Sequence, residues 1–127
     1  NFKGLKSFYM RTLLLILFFV IQTPKVEVLD KPQYKRMVSK GFTIIDVRTS
    51  EEFEEGHIAG ALNINVKSEE FIAEIENLSK SDTLLVYCRS GRRSLYAAQV
   101  MVSFGFIKIY DLQGGFLNWE LDEGGED

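Results

Sequence analysis

The chain contains one cysteine, Cys88, and the residue types around it are those of an activated thiol. Four apolar residues, 84–87, precede it, and six polar residues or glycines follow it, including Arg89, Arg92 and Arg93. This order predicts a buried strand, a tight loop and a helix. A thiol at that position faces the free backbone N–H groups of the helix and several guanidinium groups, which favour the thiolate. We therefore predict that Cys88 is a nucleophile in an anion-binding loop.

The other residues of this loop indicate how it could hold an anion. Gly91 allows a positive φ or a close approach of the backbone to a ligand. Ser90 and Ser94 carry hydroxyl groups that can donate to the cysteine sulfur or cap the helix. Cations at a helix N-terminus oppose the helix macrodipole, so the arginines favour a bound anion over a solvated helix start. The same arginines disfavour the competing interpretation of Cys88 as a small buried hydrophobe.

Charged residues also follow a second predicted strand. Asp46 and Arg48 come directly after a β-branched apolar run, and we interpret them as an internal ion pair that fixes the strand end. A catalytic role for this pair is the alternative. The glutamates that follow are most simply a solvated face: Glu51, Glu52, Glu54 and Glu55.

The composition excludes several classes of site. A chain of 127 residues and 14.6 kDa is the size of one domain, and 46% apolar content is enough for one core. One cysteine cannot form an intramolecular disulfide, and one cysteine with one histidine cannot supply a four-ligand zinc site. We expect no metal and no cofactor.

The net charge of −3 conceals an asymmetry along the chain. Lys3, Lys6 and Arg11 all lie before Thr12, so from that position onward 12 basic residues face 18 acidic ones, a balance of −6. With this charge, the chain from Thr12 onward repels phosphate everywhere except at the cluster of Arg89, Arg92 and Arg93. We therefore expect no nucleic-acid partner.

Residues 1–23 are predicted to be a leader. Its basic residues precede nine apolar residues at 13–21, which is short for a bilayer span of about 20 residues and fits a signal-peptide core of about 7–15. No small-x-small cleavage pattern follows, so a helix that packs on the domain or an uncleaved anchor is the alternative. We expect a periplasmic or cell-envelope location, or otherwise a cytoplasmic one, with membrane contact only through residues 8–23.

The remaining chain alternates short strands and helices. Strands are predicted at residues 26–29, 43–47, 62–66, 84–87 and 106–110. Helices are predicted at residues 31–41, 51–53, 69–78, 92–104 and 116–119, with Asp30, Ser50 and Ser68 as N-caps of the first three. Phe116 and Trp119 are expected to close the core. The domain therefore spans residues 24–119, and residues 120–127 form an acidic, frayed tail.

Strands separated by helices pair in parallel, so we predict an α/β fold with a mainly parallel sheet and helices on both faces. Ligands bind such sheets beyond the carboxyl ends of the strands. Cys88 and the Asp46/Arg48 pair both lie at such ends, and two independent patterns thus predict a site on one side of the domain.

Five segments of the chain resemble the single-domain rhodanese family. They are DVR at 46–48, EFEEGHIAGA at 52–61, YCRSGRRS at 87–94, GF at 105–106 and LQGGFLNW at 112–119. The match runs from about residue 26 to residue 119 in the order and spacing of the family. It implies a three-layer fold with a five-stranded sheet, and the activity of a thiosulfate sulfurtransferase. It also implies that His57 supports the loop structurally rather than acting as an acid or base.

The length of the loop separates sulfur chemistry from phosphorus chemistry in this resemblance. Cell-cycle phosphatases and arsenate reductases share the fold, but their arginine lies six positions after the cysteine, where this chain has Ser94. Arg93 lies five positions after Cys88, which in this family goes with sulfur. A smaller ring of backbone amides also suits a terminal sulfur better than a tetrahedral oxyanion.

The resemblance implies a reaction in two steps. The Cys88 thiolate takes the outer sulfur of a small anionic donor as a persulfide, and an acceptor, either cyanide or a thiol, then removes it. The N–H groups of residues 89–94 ring the persulfide, while Arg93, with the more variable Arg92, grips the donor. A persulfide carrier or redox-sensing module that acts on a protein thiol is the alternative. A phosphatase or arsenate reductase is a weaker one.

Overall fold

The computed structural model describes residues 1–17 and 23–121, and between residues 12 and 17 it describes the backbone alone. Its sheet has five parallel strands in the order β1-β5-β4-β2-β3, as the alternating pattern predicted. The strands are β1 (Lys25–Leu29), β2 (Thr43–Asp46), β3 (Leu62–Asn63), β4 (Thr83–Tyr87) and β5 (Lys108–Leu112). The cysteine strand, β4, is the middle one, which explains its uninterrupted apolar run.

The described residues form the helices α1 (Phe2–Leu17), α2 (Lys31–Ser39), α3 (Ser50–Glu55), α4 (Phe71–Glu76), α5 (Arg92–Ser103) and α6 (Gly115–Glu120). Helices α2 to α6 cover both faces of the sheet. Side chains of α4 and α5 pack in one core, and those of α2 and α6 pack in the other. The predicted three-layer α/β architecture is therefore confirmed.

The central strand contributes to both cores, because successive side chains of a strand point to opposite faces. Val86 and Cys88 belong to the core under α5, whereas Tyr87 belongs to the core under α2. In the second core Trp119 meets the buried ring of Tyr34 edge to face, with ring centroids 6.3 Å apart. This contact, together with the packing of Phe116 there, confirms that the α6 aromatics close the core.

Two predicted strands differ from the structure by two or more residues at an end, whereas the other three differ by a single residue. The last strand begins at Lys108 rather than residue 106, because Phe106 is fully buried and its N–H closes the end of α5 on the Met101 carbonyl. The third strand has only two residues, since the chain turns at Asn65, whose carbonyl accepts from the N–H of Ser68.

Two predicted caps are also displaced. The N-cap of α3 is Thr49, not Ser50, because Thr49 and Glu52 form a reciprocal capping box. The N-cap of α4 is Glu70, not Ser68, whose carbonyl accepts from the N–H of Phe71 in the preceding turn. The cap at Asp30 is confirmed, with its side chain accepting from the N–H of Gln33 at 2.9 Å.

Part of the leader and of the tail lies outside the described residues. This holds for residues 18–22 of the predicted apolar run and for residues 122–127 of the predicted acidic tail. Within the part of the chain that the structure describes, no helix has the length and apolarity needed to cross a membrane.

Candidate active site

Cys88 lies immediately after β4, and its side chain is enclosed by the loop that follows. The residue is 1% exposed. Its Sγ atom accepts a hydrogen bond from the backbone N–H of Gly91 at 3.0 Å and another from the Ser94 hydroxyl at 3.4 Å. Both donors favour a negative charge on the sulfur. The loop can therefore stabilise a sulfur anion with neutral hydrogen-bond donors.

Gly91 gives the loop the turn that this arrangement needs. Its φ is +108°, a region that L side chains rarely adopt, as the sequence predicted. The turn directs the Gly91 N–H at the sulfur and starts α5, so that Ser94 lies in the first turn of the helix.

Two further glycines, Gly114 and Gly115, lie at the start of α6 and help to position the cysteine loop. The N–H of Phe116 donates to the Cys88 carbonyl at 2.7 Å, and the N–H of Leu117 donates to the Arg89 carbonyl at 3.1 Å. A Cβ atom on Gly115 would lie 2.5 Å from the Cys88 carbonyl oxygen and 2.6 Å from the Arg89 carbonyl. The first turn of α6 therefore holds the loop carbonyls, and only glycine permits this approach. In the sequence these glycines are evident only as part of the segment at 112–119 that carries the resemblance.

Arg93 is bound to a carboxylate of the protein itself. Its two terminal nitrogens donate to the carboxylate of Glu52 at 2.6 and 2.9 Å. The prediction that Glu52 belongs to a solvated face is therefore wrong, because its side chain is only 26% exposed and bridges α3 to α5. In this structure two Arg93 donors are taken up by Glu52, and a role for Arg93 in gripping the donor stays a prediction.

This ion pair should make the stability of the fold depend on pH. The Arg93 guanidinium, followed by weaker contacts to Thr49, lowers the pKa of Glu52 from 4.5 to about 2. A carboxyl with a lowered pKa in the folded state stabilises that state above its ordinary pKa, and the stabilisation is lost as the pH falls from 4.5 toward 2.

We predict that Glu52→Gln lowers the free energy of unfolding near neutral pH by about 1–2 kcal/mol, an amount reduced to allow for partial exposure. Urea unfolding at neutral pH and at about pH 3 measures this free energy. The difference in free energy of unfolding between wild type and the variant should be smaller at the lower pH. Glu54→Gln, on an exposed residue of the same helix, is the control. Equal stability of the two variants at neutral pH would contradict the prediction.

Two other arginines of the loop have side chains that are open to a ligand. Arg89 and Arg92 are exposed, and among the described residues neither side chain has a hydrogen bond or an ion pair. Ser90 is exposed beside them. Arg89 lines a cleft of about 300 Å³ together with residues of α3 and α6. The guanidinium groups of Arg89 and Arg92 are therefore accessible from solvent.

The predicted ion pair between Asp46 and Arg48 is present and buried. The Arg48 side chain donates to both carboxylate oxygens, the shorter contact being 2.7 Å, and also donates to the Gly56 carbonyl at 2.7 Å. Its guanidinium lies 4.4 Å from the ring centroid of Phe116, on α6. The pair thus connects the end of β2 to the turn after α3 and to the helix that holds the loop.

His57 packs on its own turn. Its Nδ1 lies 2.8 Å from the Phe53 carbonyl oxygen, and its ring stacks on the Phe53 ring at 3.7 Å. These contacts stabilise the turn after α3, and support of the cysteine loop by His57 stays a prediction.

Asp111 is an ionisable residue that no sequence pattern singled out. Asp111, on β5, is 2% exposed, and its Oδ1 atom has no hydrogen-bond partner among the described residues. Burial raises its pKa from 3.8 to about 6, against hydrogen bonds from Ser94 and the Leu112 backbone. The predicted last strand stopped at residue 110, so nothing marked Asp111 as buried.

No three His, Cys, Asp or Glu side chains within residues 1–17 and 23–121 are arranged to hold a metal ion.

Comparison with known proteins places the chain among sulfurtransferase relatives. The family described as Rhodanese-like domain matches residues 30–122. The chain is 35% identical over 102 residues to thiosulfate sulfurtransferase 18 of Arabidopsis thaliana, covering 71% of this chain and 75% of that protein. It is 39% identical over 82 residues to thiosulfate sulfurtransferase GlpE of Coxiella burnetii, covering 64% of this chain and 74% of that protein.

Solved structures give the same result for the fold. The human single domain sulfurtransferase TSTD1 superposes with a TM-score of 0.65 at 28% identity, covering 76% of this chain and 97% of the human one. A rhodanese-related protein from Thermoplasma volcanium superposes with a TM-score of 0.67 at 27% identity, covering 79% of this chain and 95% of its own.

Proposed function

The chain belongs to the rhodanese-like domain family, and from that membership we propose that it is a thiosulfate sulfurtransferase that works through a persulfide on Cys88. Relatives named as thiosulfate sulfurtransferases support a rhodanese-type transferase. The observation that carries the finer proposal is the position of Sγ between the Gly91 N–H and the Ser94 hydroxyl.

In the first step the Cys88 thiolate attacks the outer sulfur of thiosulfate. A new S–S bond forms, the S–S bond of the donor breaks, and sulfite leaves with the electron pair. The negative charge passes from Sγ to the terminal sulfur of the persulfide, which the N–H groups of residues 89–94 surround. Because α6 holds the carbonyls of Cys88 and Arg89, the amides need no reorganisation when the charge moves.

In the second step an acceptor attacks the terminal sulfur of the persulfide. Cyanide leaves as thiocyanate, or a thiolate leaves as a new persulfide, and Cys88 returns to its thiolate form. The same hydrogen bonds from Gly91 and Ser94 then stabilise the leaving sulfur.

The exposed arginines of the loop are the proposed binding groups for the sulfur donor. Thiosulfate is a dianion, and Arg89 and Arg92 are the exposed, unpaired cations of the loop among the described residues. Arg93 acts differently, since it fixes the start of α5 against Glu52. The sequence argues against phosphate as the substrate, because the position six residues after Cys88, where the phosphatases of this fold have their arginine, is Ser94.

Arg92→Ala should raise the KM for thiosulfate about tenfold and change kcat less, because the exposed guanidinium contributes mainly to donor binding. Thiocyanate formation from thiosulfate and cyanide measures both constants. Arg36→Ala, on an exposed arginine of α2, is the matched control and should match wild type. An unchanged KM for Arg92→Ala would contradict this assignment.

Two assays on one enzyme preparation distinguish sulfur transfer from the phosphatase alternative. With thiosulfate and cyanide we expect formation of thiocyanate, and with an aryl phosphate we expect no release of phosphate. Phosphate release without thiocyanate formation would overturn the proposed function.

A protein thiol is the second candidate for the acceptor. Leu95 and Tyr96 on α5 are 39% and 61% exposed, and Leu117 on α6, which lines the cleft beside the loop, is 42% exposed, so large apolar side chains lie close to the loop. A higher kcat/KM for a reduced protein dithiol than for cyanide or a small thiol would favour this acceptor.

A further inference from the structure

Helix α1 has a surface that the proposed sulfur transfer does not use. Each of residues 1–11 is exposed, and the large apolar side chains among them include Phe2 at 84%, Leu5 at 57% and Tyr9 at 65%. A single helix of 16 residues is only marginally stable in water, because helices in proteins gain most of their stability by packing an amphipathic face. The exposed side chains of α1 therefore call for a partner.

The side chains of α1 are divided between two faces of the helix. With 3.6 residues per turn, residues spaced three and four apart share a face. The apolar face carries Phe2, Leu5 and Tyr9. The opposite, polar face carries residues spaced four apart: Lys3, Ser7 and Arg11. This division is typical of a helix that lies at a boundary between an apolar and a polar medium.

The charge of α1 indicates the chemistry of that boundary. Among residues 1–11 the charged side chains are all basic, namely Lys3, Lys6 and Arg11, and the first acidic residue of the chain is Glu27. From Thr12 onward, by contrast, 12 basic residues face 18 acidic ones. A lipid bilayer with anionic headgroups accepts apolar side chains and attracts cations at the same place. A second copy of α1 would cover the apolar face but would supply no counter-charge.

The positions of the cations determine how α1 lies on such a bilayer. They are spread along the helix from Lys3 to Arg11 rather than collected at one end. A charged side chain in the centre of a bilayer is unfavourable, so a helix that entered end-on would bury some of these cations at a cost. When the helix lies in the plane of the surface, the long side chains of all three cations reach the headgroups.

We propose that α1 is an interfacial helix that holds the domain on the surface of a membrane containing anionic lipids. The apolar face enters the boundary between headgroups and acyl chains, and the three cations bind the headgroups. Hydrophobicity along the sequence predicted membrane contact only within residues 8–23, and the proposal adds the residues from Phe2 onward. It is independent of the reaction at Cys88, so either can fail without the other.

Co-sedimentation of the purified 127-residue chain with lipid vesicles tests the proposal. Vesicles of phosphatidylcholine alone are compared with vesicles of equal parts phosphatidylcholine and phosphatidylglycerol. Wild type should bind the mixed vesicles at least about tenfold more tightly than the neutral ones. This preference should largely disappear when the salt is raised from about 0.1 M to about 1 M, because the Debye length falls from about 10 Å to about 3 Å.

Removing the three cations should weaken binding to the mixed vesicles about a hundredfold. The variant carries three substitutions: Lys3→Gln, Lys6→Gln and Arg11→Gln. Its matched control makes the same change of net charge at exposed positions outside α1: Arg36→Gln, Lys40→Gln and Lys67→Gln. The control should bind the mixed vesicles like wild type.

Replacing two residues of the apolar face should weaken binding to the mixed vesicles about tenfold. Leu5→Gln with Tyr9→Gln keeps the net charge, and glutamine is a good helix former. The matched control is Leu62→Gln with Tyr96→Gln, because these residues are 50% and 61% exposed and lie outside α1. A thermal melt without vesicles shows whether the domain of each variant is folded.

Three results would overturn the proposal: no binding of wild type to either kind of vesicle, equal affinity for both kinds, or equal losses in the α1 variants and their controls. Analytical ultracentrifugation tests the competing partner. A concentration-dependent dimer that Leu5→Gln with Tyr9→Gln disrupts, without binding to vesicles, would assign the apolar face to a second copy of the chain and overturn the proposal.

Discussion

Replacing Cys88 with serine is expected to reduce thiocyanate formation from thiosulfate and cyanide by at least about a thousandfold. The proposed persulfide requires a sulfur nucleophile, and Cys88 is the only cysteine of the sequence. A serine hydroxyl is not ionised near neutral pH and cannot carry a transferable sulfur. Steady-state kinetics of purified wild-type and Cys88→Ser proteins measure the effect.

The serine variant should keep its fold, which makes the comparison a test of chemistry. Serine is slightly smaller than cysteine, and its hydroxyl can still accept the hydrogen bond that Gly91 donates to Sγ. Circular dichroism and a thermal melt provide the control. Turnover of a folded Cys88→Ser protein within about tenfold of wild type would exclude Cys88 as the nucleophile.

The second large effect is expected at Gly115, which does not contact the sulfur. Gly115→Ala should lower turnover about a hundredfold and cost about 3 kcal/mol or more in the free energy of unfolding. The new Cβ would lie 2.5 Å from the Cys88 carbonyl oxygen, and the residue has a φ of +61°. Both partners in the collision are backbone, so either the loop or α6 must move. Kinetics and urea unfolding measure the two effects.

Gly41→Ala is the matched control for this prediction. Gly41 also has a positive φ, +81°, but a Cβ there would meet nothing within 4 Å. Its substitution should therefore cost only about 1 kcal/mol and leave turnover unchanged. If Gly115→Ala and Gly41→Ala have equal turnover and equal free energies of unfolding, the contact between α6 and the loop does not position the site.

The parts of the fold that local pattern determines could be predicted from the sequence. Apolar runs of four or five residues separated by amphipathic segments are typical of parallel strands and helices, and the five strands lie close to where they were predicted. The positive φ of Gly91 and the ion pair between Asp46 and Arg48 were also predictable, because both depend on neighbouring residues.

The features that the sequence did not reveal depend on contacts between distant residues. Glu52 and Arg93 are 41 positions apart, and only the tertiary fold brings them together. Likewise, the burial of Asp111 depends on two additional residues of strand β5 and on the position of α5 above it. The role of Gly115 depends on the approach of α6 to the cysteine loop. Local sequence patterns carry no distance information of this kind.

The persulfide itself is the most direct test of the proposed function. Wild-type protein treated with thiosulfate, freed of excess reagent and digested, should yield a Cys88 peptide heavier by about 32 Da, the mass of one sulfur atom. Addition of cyanide should return that peptide to its original mass and release thiocyanate, and the Cys88→Ser protein should gain no mass. A folded wild-type protein whose Cys88 peptide gains no sulfur under these conditions would contradict the account.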